Sequence, residues 1–536
     1  MNILPKYSWY LDLLEDFQDV KWNGYSLIQF INIQPYFNVI TRVLKISTDT
    51  IDSCTRNKLK KENEFQTLFE QKIKLPRVNI NEKRSGKILL FDQLNLRFPH
   101  QTYMEYFNKN TTMIVRTNPT LASISDIPIK VFEKEEDASL KQEVEKIKEQ
   151  VTKIMAKHAD HPIYSNIIIQ KRLIQEFKNI LLYFRSIVHF FETTSIACVV
   201  VGGSGDITSK MLIIIAANKN IPSISLQHGL ISANRGVIPN MATKEMVYSE
   251  FEKQFFHKWG VKDDQLEILG HPKYDLIFSQ EHMKKNALFR LLGISPKTKT
   301  VLIATQPGGI FSLDKVIKII NYLTKYKIVV IIKPHPTECR NGTFNHYLKL
   351  AKKNRYVRVF WKGATLYDLI KNVDAVCVEF STVGFESMLL GKPVCFTNSL
   401  ELDGAAYEFG DYLNIPDPNK LVIYLKKLVE NKKYYMKVKQ AQQKIIKEAY
   451  PQKIAGKKLS DFIYQITGIQ SYDNDCALPE NTVVIDSNKR KYLLQEGLKK
   501  RILNEKVVEK LGIETKEAIV VDDSMLEKIP TGERFV

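Results

Sequence analysis

Five short segments place side chains able to take a proton or hold an anion where a strand ends or a helix begins. The first, VVVGGSGDITSK at 199–210, runs from a strand through Gly202, Gly203, Ser204 and Gly205 into a helix opened by Asp206. Glycines in such a turn let a ligand approach backbone N–H groups at a helix start, where the helix dipole favours an anion. The spacing is not the dinucleotide fingerprint, and Asp206 reads most simply as an N-cap, with a functional loop as the other reading. The second, SISLQHGLI at 223–231, delivers Gln227, His228 and Gly229 to a strand end, where an imidazole suits a general base or a phosphate ligand. The third, GHPKYD at 270–275, is a Gly-His-Pro corner that reads mainly as structural. In it His271 lines a hinge, with Lys273 or Tyr274 within reach of a cleft.

The fourth, IIKPHPTE at 331–338, is an apolar strand stopped by Lys333, Pro334, His335 and Pro336. Two prolines hold His335 between rigid neighbours, and a rigid imidazole beside a lysine suits a diphosphate or phosphodiester. The fifth, VCVEFSTVGFESMLLGKPV at 376–394, ends a strand at Glu379 and opens a helix at Ser381 and Thr382 that carries Glu386. Hydroxyls and unbonded N–H groups at a helix start form a phosphate nest, and Glu386 is placed to accept from ribose hydroxyls. A capping box is the other reading. Beside KPHP, the segment reads as the second half of one nucleotide site.

These segments are positioned by alternating strands and helices. Strands at Ala197–Val201, Pro222–Leu226, Glu245–Tyr248 and Leu266–Leu269 alternate with helices, and the pattern restarts after a lysine-rich link, Met283–Leu292. Such spacing indicates βαβ units and parallel sheets covered on both faces. The fold class is therefore α/β, with two facing Rossmann-like lobes and a ligand cleft between them. The expected domains are a helical N-terminal extension over 1–80, a first lobe over 81–280, a second lobe with trailing basic helices over 281–467, and a small C-terminal appendage over 468–536.

A chain of 536 residues fits two or three domains at ~100–200 residues each. No apolar run approaches the ~20 residues needed to span a bilayer, and the N-terminus lacks the order of a signal peptide, so a cytoplasmic protein is expected. Six cysteines without a CxxC pair argue against a zinc site or disulfide framework; Cys198, Cys377 and Cys395 sit in apolar runs and Cys476 in the appendage. The net charge is +19, and 420–458 holds twelve lysines against two acids. Such a block is either a solvated helical face or a peripheral contact with an anionic membrane; nucleic acid ranks below both.

With these motifs in view, the chain resembles glycosyltransferases of the GT-B fold, among them polysialyltransferase-like and Kdo-transferase-like enzymes of bacterial surface and capsular polysaccharides. CDP-glycerol glycerophosphotransferases are more distant cousins. The resemblance spans roughly 87–466 and rests on IPSISLQHG, KPHPTE and FSTVGFESMLLGKPV. It implies an acceptor-side first lobe and a donor-side second lobe, with Lys333, His335, Pro336, Ser381, Thr382 and Glu386 around a nucleotide-activated donor. A CMP-linked sugar acid is favoured, and the acceptor is a hydroxyl of a surface glycan or glycoconjugate. Neither a metal nor a cofactor is implied. His228 is the first choice of general base and Asp206 the second, with Gln227, Gly229, His271 and Glu379 as secondary cleft residues. Two alternatives share the architecture: a hydrolysing UDP-N-acetylglucosamine 2-epimerase, whose HxEAG motif is replaced here by LQHGLIS, and a CDP-glycerol-type polyol-phosphate transferase.

Overall fold

Runs such as KILLF and IACVVV have no polar face, so strands built from them need cover on both sides. The computed structural model describes residues 3–93, 95–118, 123–231, 237–279, 281–307, 312–379, 381–397, 413–469, 482–486, 488–495, 498–503, 518–520, 526 and 531. Cys476 and much of 468–536 lie outside them.

The first sheet has eight strands: β1 (Lys87–Phe91), β2 (Thr112–Arg116), β3 (Ser123–Ile124), β4 (Ile127–Val131), β5 (Ile196–Val201), β6 (Ser223–Leu226), β7 (Lys244–Val247) and β8 (Leu266–Ile268). Their order is β8-β7-β6-β5-β1-β2-β4-β3, parallel throughout except at the short β3–β4 hairpin. The main helices of this half are α1 (Leu4–Asp16), α2 (Phe65–Ile73), α3 (Ala138–Lys157), α4 (Ile167–Thr193), α5 (Ile207–Asn218) and α6 (Glu250–Lys258).

Alternate strand residues face two separate cores. Leu89, Phe91, Val199 and Val201 pack with Trp9, Phe65, Phe184 and Ile214. Ile88, Leu90, Cys198 and Val200 face Phe98, Tyr103, Leu459 and Ile463 on the other side. The aromatic-rich residues of 1–80 thus form part of the first lobe's core. A large side chain buried this way contributes about 1.5–3 kcal/mol.

The second sheet, ordered β11-β10-β9-β12-β13 and wholly parallel, contains β9 (Thr300–Ala304), β10 (Val329–Lys333), β11 (Val357–Val359), β12 (Ala375–Val378) and β13 (Val394–Phe396). Around it lie α7 (Leu313–Leu323), α8 (Pro336–Arg340), α9 (Thr382–Leu389), α10 (Pro418–Glu430) and α11 (Lys432–Ala449). The last helix of this stretch, α12 (Ala455–Thr467), returns to the first lobe. Asp275 caps it, accepting from the N–H groups of Ala455 (2.8 Å) and Gly456 (2.7 Å), and Leu459 and Ile463 fill the first lobe's second core.

Topology locates the ligand end of each lobe. The first sheet grows from β1 to β2 on one side and to β5 on the other, and the second divides likewise between β9 and β12. Ligands of open α/β sheets sit outside the C-terminal strand ends at such switch points. Those ends carry the loop after Phe91 and the glycines after Val201 in one lobe, and Thr305, Glu379, Ser381 and Thr382 in the other. An aromatic cluster joins the lobes: Tyr248 and Tyr274 each lie 5.8 Å from Phe385, and 5.5 and 5.4 Å from Tyr450.

Residues Gln470–Val536 form a separate unit. Its sheet, ordered β16-β15-β14-β17, comprises β14 (Thr482–Ile485), β15 (Lys491–Gln495), β16 (Leu498–Arg501) and β17 (Ile519–Val520), with Val483, Leu493 and Ile502 packed together. Among the described residues no helix is long and apolar enough to cross a membrane.

Candidate functional site

The QHG turn follows β6 and is held by its first residue. Gln227 is buried; its Oε1 accepts from the Tyr248 N–H (3.2 Å), and its Nε2 donates to the Gly229 carbonyl (2.8 Å) and to Glu252 Oε1 (3.1 Å). Glu252 is fixed in turn by the N–H (2.9 Å) and hydroxyl (2.6 Å) of Ser249. With both neighbours bound, His228 projects against the glycine loop. A Cβ on Gly203 would stand 3.1 Å from His228 Nδ1, and Gly203 has φ +139°, so the imidazole lies along a position that favours glycine. Burial, then the charges of Lys273 and Arg97, push the His228 pKa down to about 4, opposed by a hydrogen bond to the Gly202 backbone. The ring is neutral at physiological pH, as a proton acceptor must be.

In the second lobe the KPHP corner is braced from inside. His335 caps α8, its Nδ1 accepting from the Thr337 N–H (3.1 Å), which leaves the ring proton on Nε2. Burial lowers its pKa, so Nε2–H is a neutral donor. Beneath it Glu338 is buried and accepts from the His335 N–H (2.9 Å), the Tyr347 hydroxyl (3.0 Å) and the Thr305 hydroxyl. Lys333 Nζ donates to the Pro334 carbonyl (3.2 Å), and Pro336 is exposed at the first position of α8. Ser381 caps α9, its Oγ accepting from the Val383 N–H (3.3 Å). Thr382 follows it, and Glu386 lies one turn on, buried, with its pKa pushed up by burial to about 7 against the opposing effects of Lys273 and the Thr382 side chain.

The two halves meet. A Cβ on Gly229 would lie 3.6 Å from Thr382 Cγ2, so the base-bearing turn and the start of α9 are neighbours. Glu386 faces Lys273 of the first lobe. His228, Gly229, Thr382 and Glu386 therefore occupy one locale, with His335 close enough to share the field of Arg97. Three residues singled out in the sequence are engaged elsewhere. Asp206 is an exposed cap of α5, its carboxylate taken by the Ser209 N–H (2.9 Å) and hydroxyl (2.5 Å). His271 is fully buried, its Nδ1 accepting from the Lys273 N–H (3.1 Å) and its backbone clamped by the Tyr450 hydroxyl (2.9 and 3.2 Å). Glu379 is fully buried, pairs with Lys315 Nζ (3.0 Å) and accepts from the Thr397 hydroxyl.

One cation at this site escaped the motif reading, and another was read without its surroundings. Arg97 is exposed at the first lobe's switch point with a left-handed backbone (φ 47°), and its charge acts on His228, His271 and Lys273 of one lobe and His335 and Glu386 of the other. Its only sequence signal is its place after the first strand. Lys273 was visible in GHPKYD, but nothing local reveals its partner.

The model of the CDP-glycerol:poly(glycerophosphate) glycerophosphotransferase family matches residues 231–454. A transferase domain thus occupies the part of the chain that holds the KPHP corner and α9. No curated protein matches the chain. Solved structures match the chain at low identity. HepE from Anabaena, solved with UDP and glucose, is 14% identical over 72% of this chain and 100% of its own, with TM-score 0.45. The UDP-GlcNAc 2-epimerase from Neisseria meningitidis, bound to UDP-GlcNAc, is 13% identical over 72% and 99%, with TM-score 0.47. The wall teichoic acid polymerase TagF is 12% identical over 83% and 99%, with TM-score 0.43.

Proposed function

We propose that this protein transfers a polyol phosphate from a CDP-activated donor to an acceptor hydroxyl, releasing CMP. The observation that carries the reading is the glycerophosphotransferase match over 231–454, which includes the His335 corner and the Ser381–Thr382 helix start. In this reading the acceptor oxygen attacks the donor's β-phosphorus as the bond from that phosphorus to the bridging oxygen breaks. The hydroxyl proton passes to the imidazole nitrogen of His228 not held by Gly202, and CMP leaves with its charge met by His335 Nε2–H, Lys333 and the N–H groups of α9. The acceptor is a hydroxyl of a glycan or glycoconjugate. Transfer from a CMP-linked sugar would use the same CMP-binding groups, with attack at the anomeric carbon.

The test is calorimetry with CMP, CDP, UMP, UDP and GDP on wild type and His335→Ala. Saturable binding of CMP or CDP, weakened about 10–100-fold by loss of a hydrogen bond to a charged phosphate, is expected. A preference for UDP, or no binding, overturns the reading. Phosphorus-31 NMR of the product from CDP-glycerol then separates the chemistries, because only polyol-phosphate transfer leaves a new phosphodiester on the acceptor.

The exposed Lys420, Lys427, Lys433, Lys437 and Lys444 of α10 and α11 fit a peripheral contact with the membrane that would carry such an acceptor. Sedimentation with vesicles should show binding only when anionic lipid is present, weakening as salt rises. No binding at low salt sinks this part alone.

A further inference from the structure

We infer that Lys273 is a positioning residue for the transfer step, holding the His228–Gly229 turn against the start of α9; this rests on the transferase reading above. Its main chain is fixed from two sides before its side chain reaches anything. The Lys273 N–H bonds to His271 Nδ1 (3.1 Å), and its carbonyl accepts from the Tyr367 hydroxyl of the second lobe (3.4 Å). His271 is itself clamped by Tyr450 at both its N–H and its carbonyl.

From that base the buried ammonium donates to the backbone carbonyl of His228. An ammonium out of water needs an opposing charge as well as an acceptor. Glu386, also buried on α9 one turn beyond Thr382, lies near enough for its charge to oppose the lowering of the Lys273 pKa by burial. Lys273 therefore ties the lobes together: its Nζ holds the His228 carbonyl of the first, and its own carbonyl holds the Tyr367 hydroxyl of the second. These bonds flank the approach of Gly229 to Thr382. A slide of one lobe over the other would break these bonds, so this strut sets the distance between the proton acceptor and the helix start read as the donor's phosphate site.

The strut also acts through its charge. Lys273 and Arg97 are the cations that, after burial, lower the His228 pKa. The charged and titratable groups around Lys273 are Arg97 from the loop after β1, His228 and His271 of its own lobe, and Glu386 and Tyr367 of the second.

The experiment compares Lys273→Met, which removes the charge, with Lys273→Arg, which keeps it. A misplacement of about 1 Å can cost on the order of 10²-fold, so kcat should fall by that factor in Lys273→Met. CMP affinity should stay within about threefold, and Lys273→Arg should recover most of the rate. Histidine-labelled NMR of the substrate-free protein gives a readout independent of turnover. With the neighbouring cation gone, His228 should titrate at higher pH in Lys273→Met than in wild type. If Lys273→Met does not fold, Lys273→Gln carries the test: it keeps a donor for the His228 carbonyl and removes the charge, and His228 should again titrate higher than in wild type. An unchanged kcat, an unmoved His228 titration in a folded variant, or a loss of CMP affinity in place of kcat overturns the inference. If wild type transfers nothing from any CDP- or CMP-linked donor, the proposed function falls, and the NMR titration still decides what Lys273 does.

Discussion

Replacing His228 with alanine should lower kcat by about 10³-fold while CMP binds almost as before, read by single-turnover assays and calorimetry on the same preparation. Proton transfer by a positioned side chain contributes about 10²–10⁴-fold, and His228 is the proton acceptor of the proposed step. The groups read as holding CMP sit on the other lobe, so affinity and rate should separate. The pH dependence follows with a definite sign. The imidazole must be neutral to accept a proton, and its pKa is held down to about 4 by burial and by two cations. The acid limb of kcat/KM, which reports the free enzyme, should therefore lie near pH 4. The acid limb of kcat should lie higher, because a bound anionic donor offsets Lys273 and Arg97 and lets the imidazole hold its proton more tightly. A kcat that survives His228→Ala within tenfold would remove His228 from the chemistry.

What the sequence disclosed about this site divides by the range of the interactions. The QHG, KPHP and FST segments are each a strand end, a turn and a helix start within ten residues, so residue types alone placed them at the cleft ends of two parallel sheets. The alternating strand runs likewise disclosed both lobes. What stayed hidden depends on contacts between distant parts of the chain. Glu386 reads as a ribose contact, and nothing local shows that Lys273 of the other lobe lies near it. Asp206 looked like a second base, yet its carboxylate is taken by Ser209 three residues on. Residues 1–80 read as a separate helical extension, because nothing local shows that Trp9 and Phe65 pack in the first lobe's core. Helix α12 followed two second-lobe helices in sequence, and no local pattern shows that Asp275 caps it and ties its start to the first lobe.

Glu379 gives the second large effect, and it should fall on stability. Its carboxylate accepts from Lys315 Nζ at 3.0 and 3.3 Å, the same ammonium donates to the Thr397 carbonyl (3.2 Å), and the two side chains are 1% and 10% exposed. Removing one member of a buried pair strands the other charge, at about 3–5 kcal/mol. Glu379→Ala should therefore lower the denaturation midpoint of the second lobe sharply, whereas the double variant Lys315→Met, Glu379→Leu should recover most of that loss, since apolar replacement of a whole buried pair is often neutral or better. The double variant also separates support from ligation, because Glu379 ends β12 at the second lobe's switch point, one strand from Thr305. If Glu379 only holds α7 against the strand ends, the refolded double variant should bind CMP within about threefold of wild type. If it folds but no longer binds CMP, the carboxylate is a donor ligand and the ion pair with Lys315 is the resting state of a binding group.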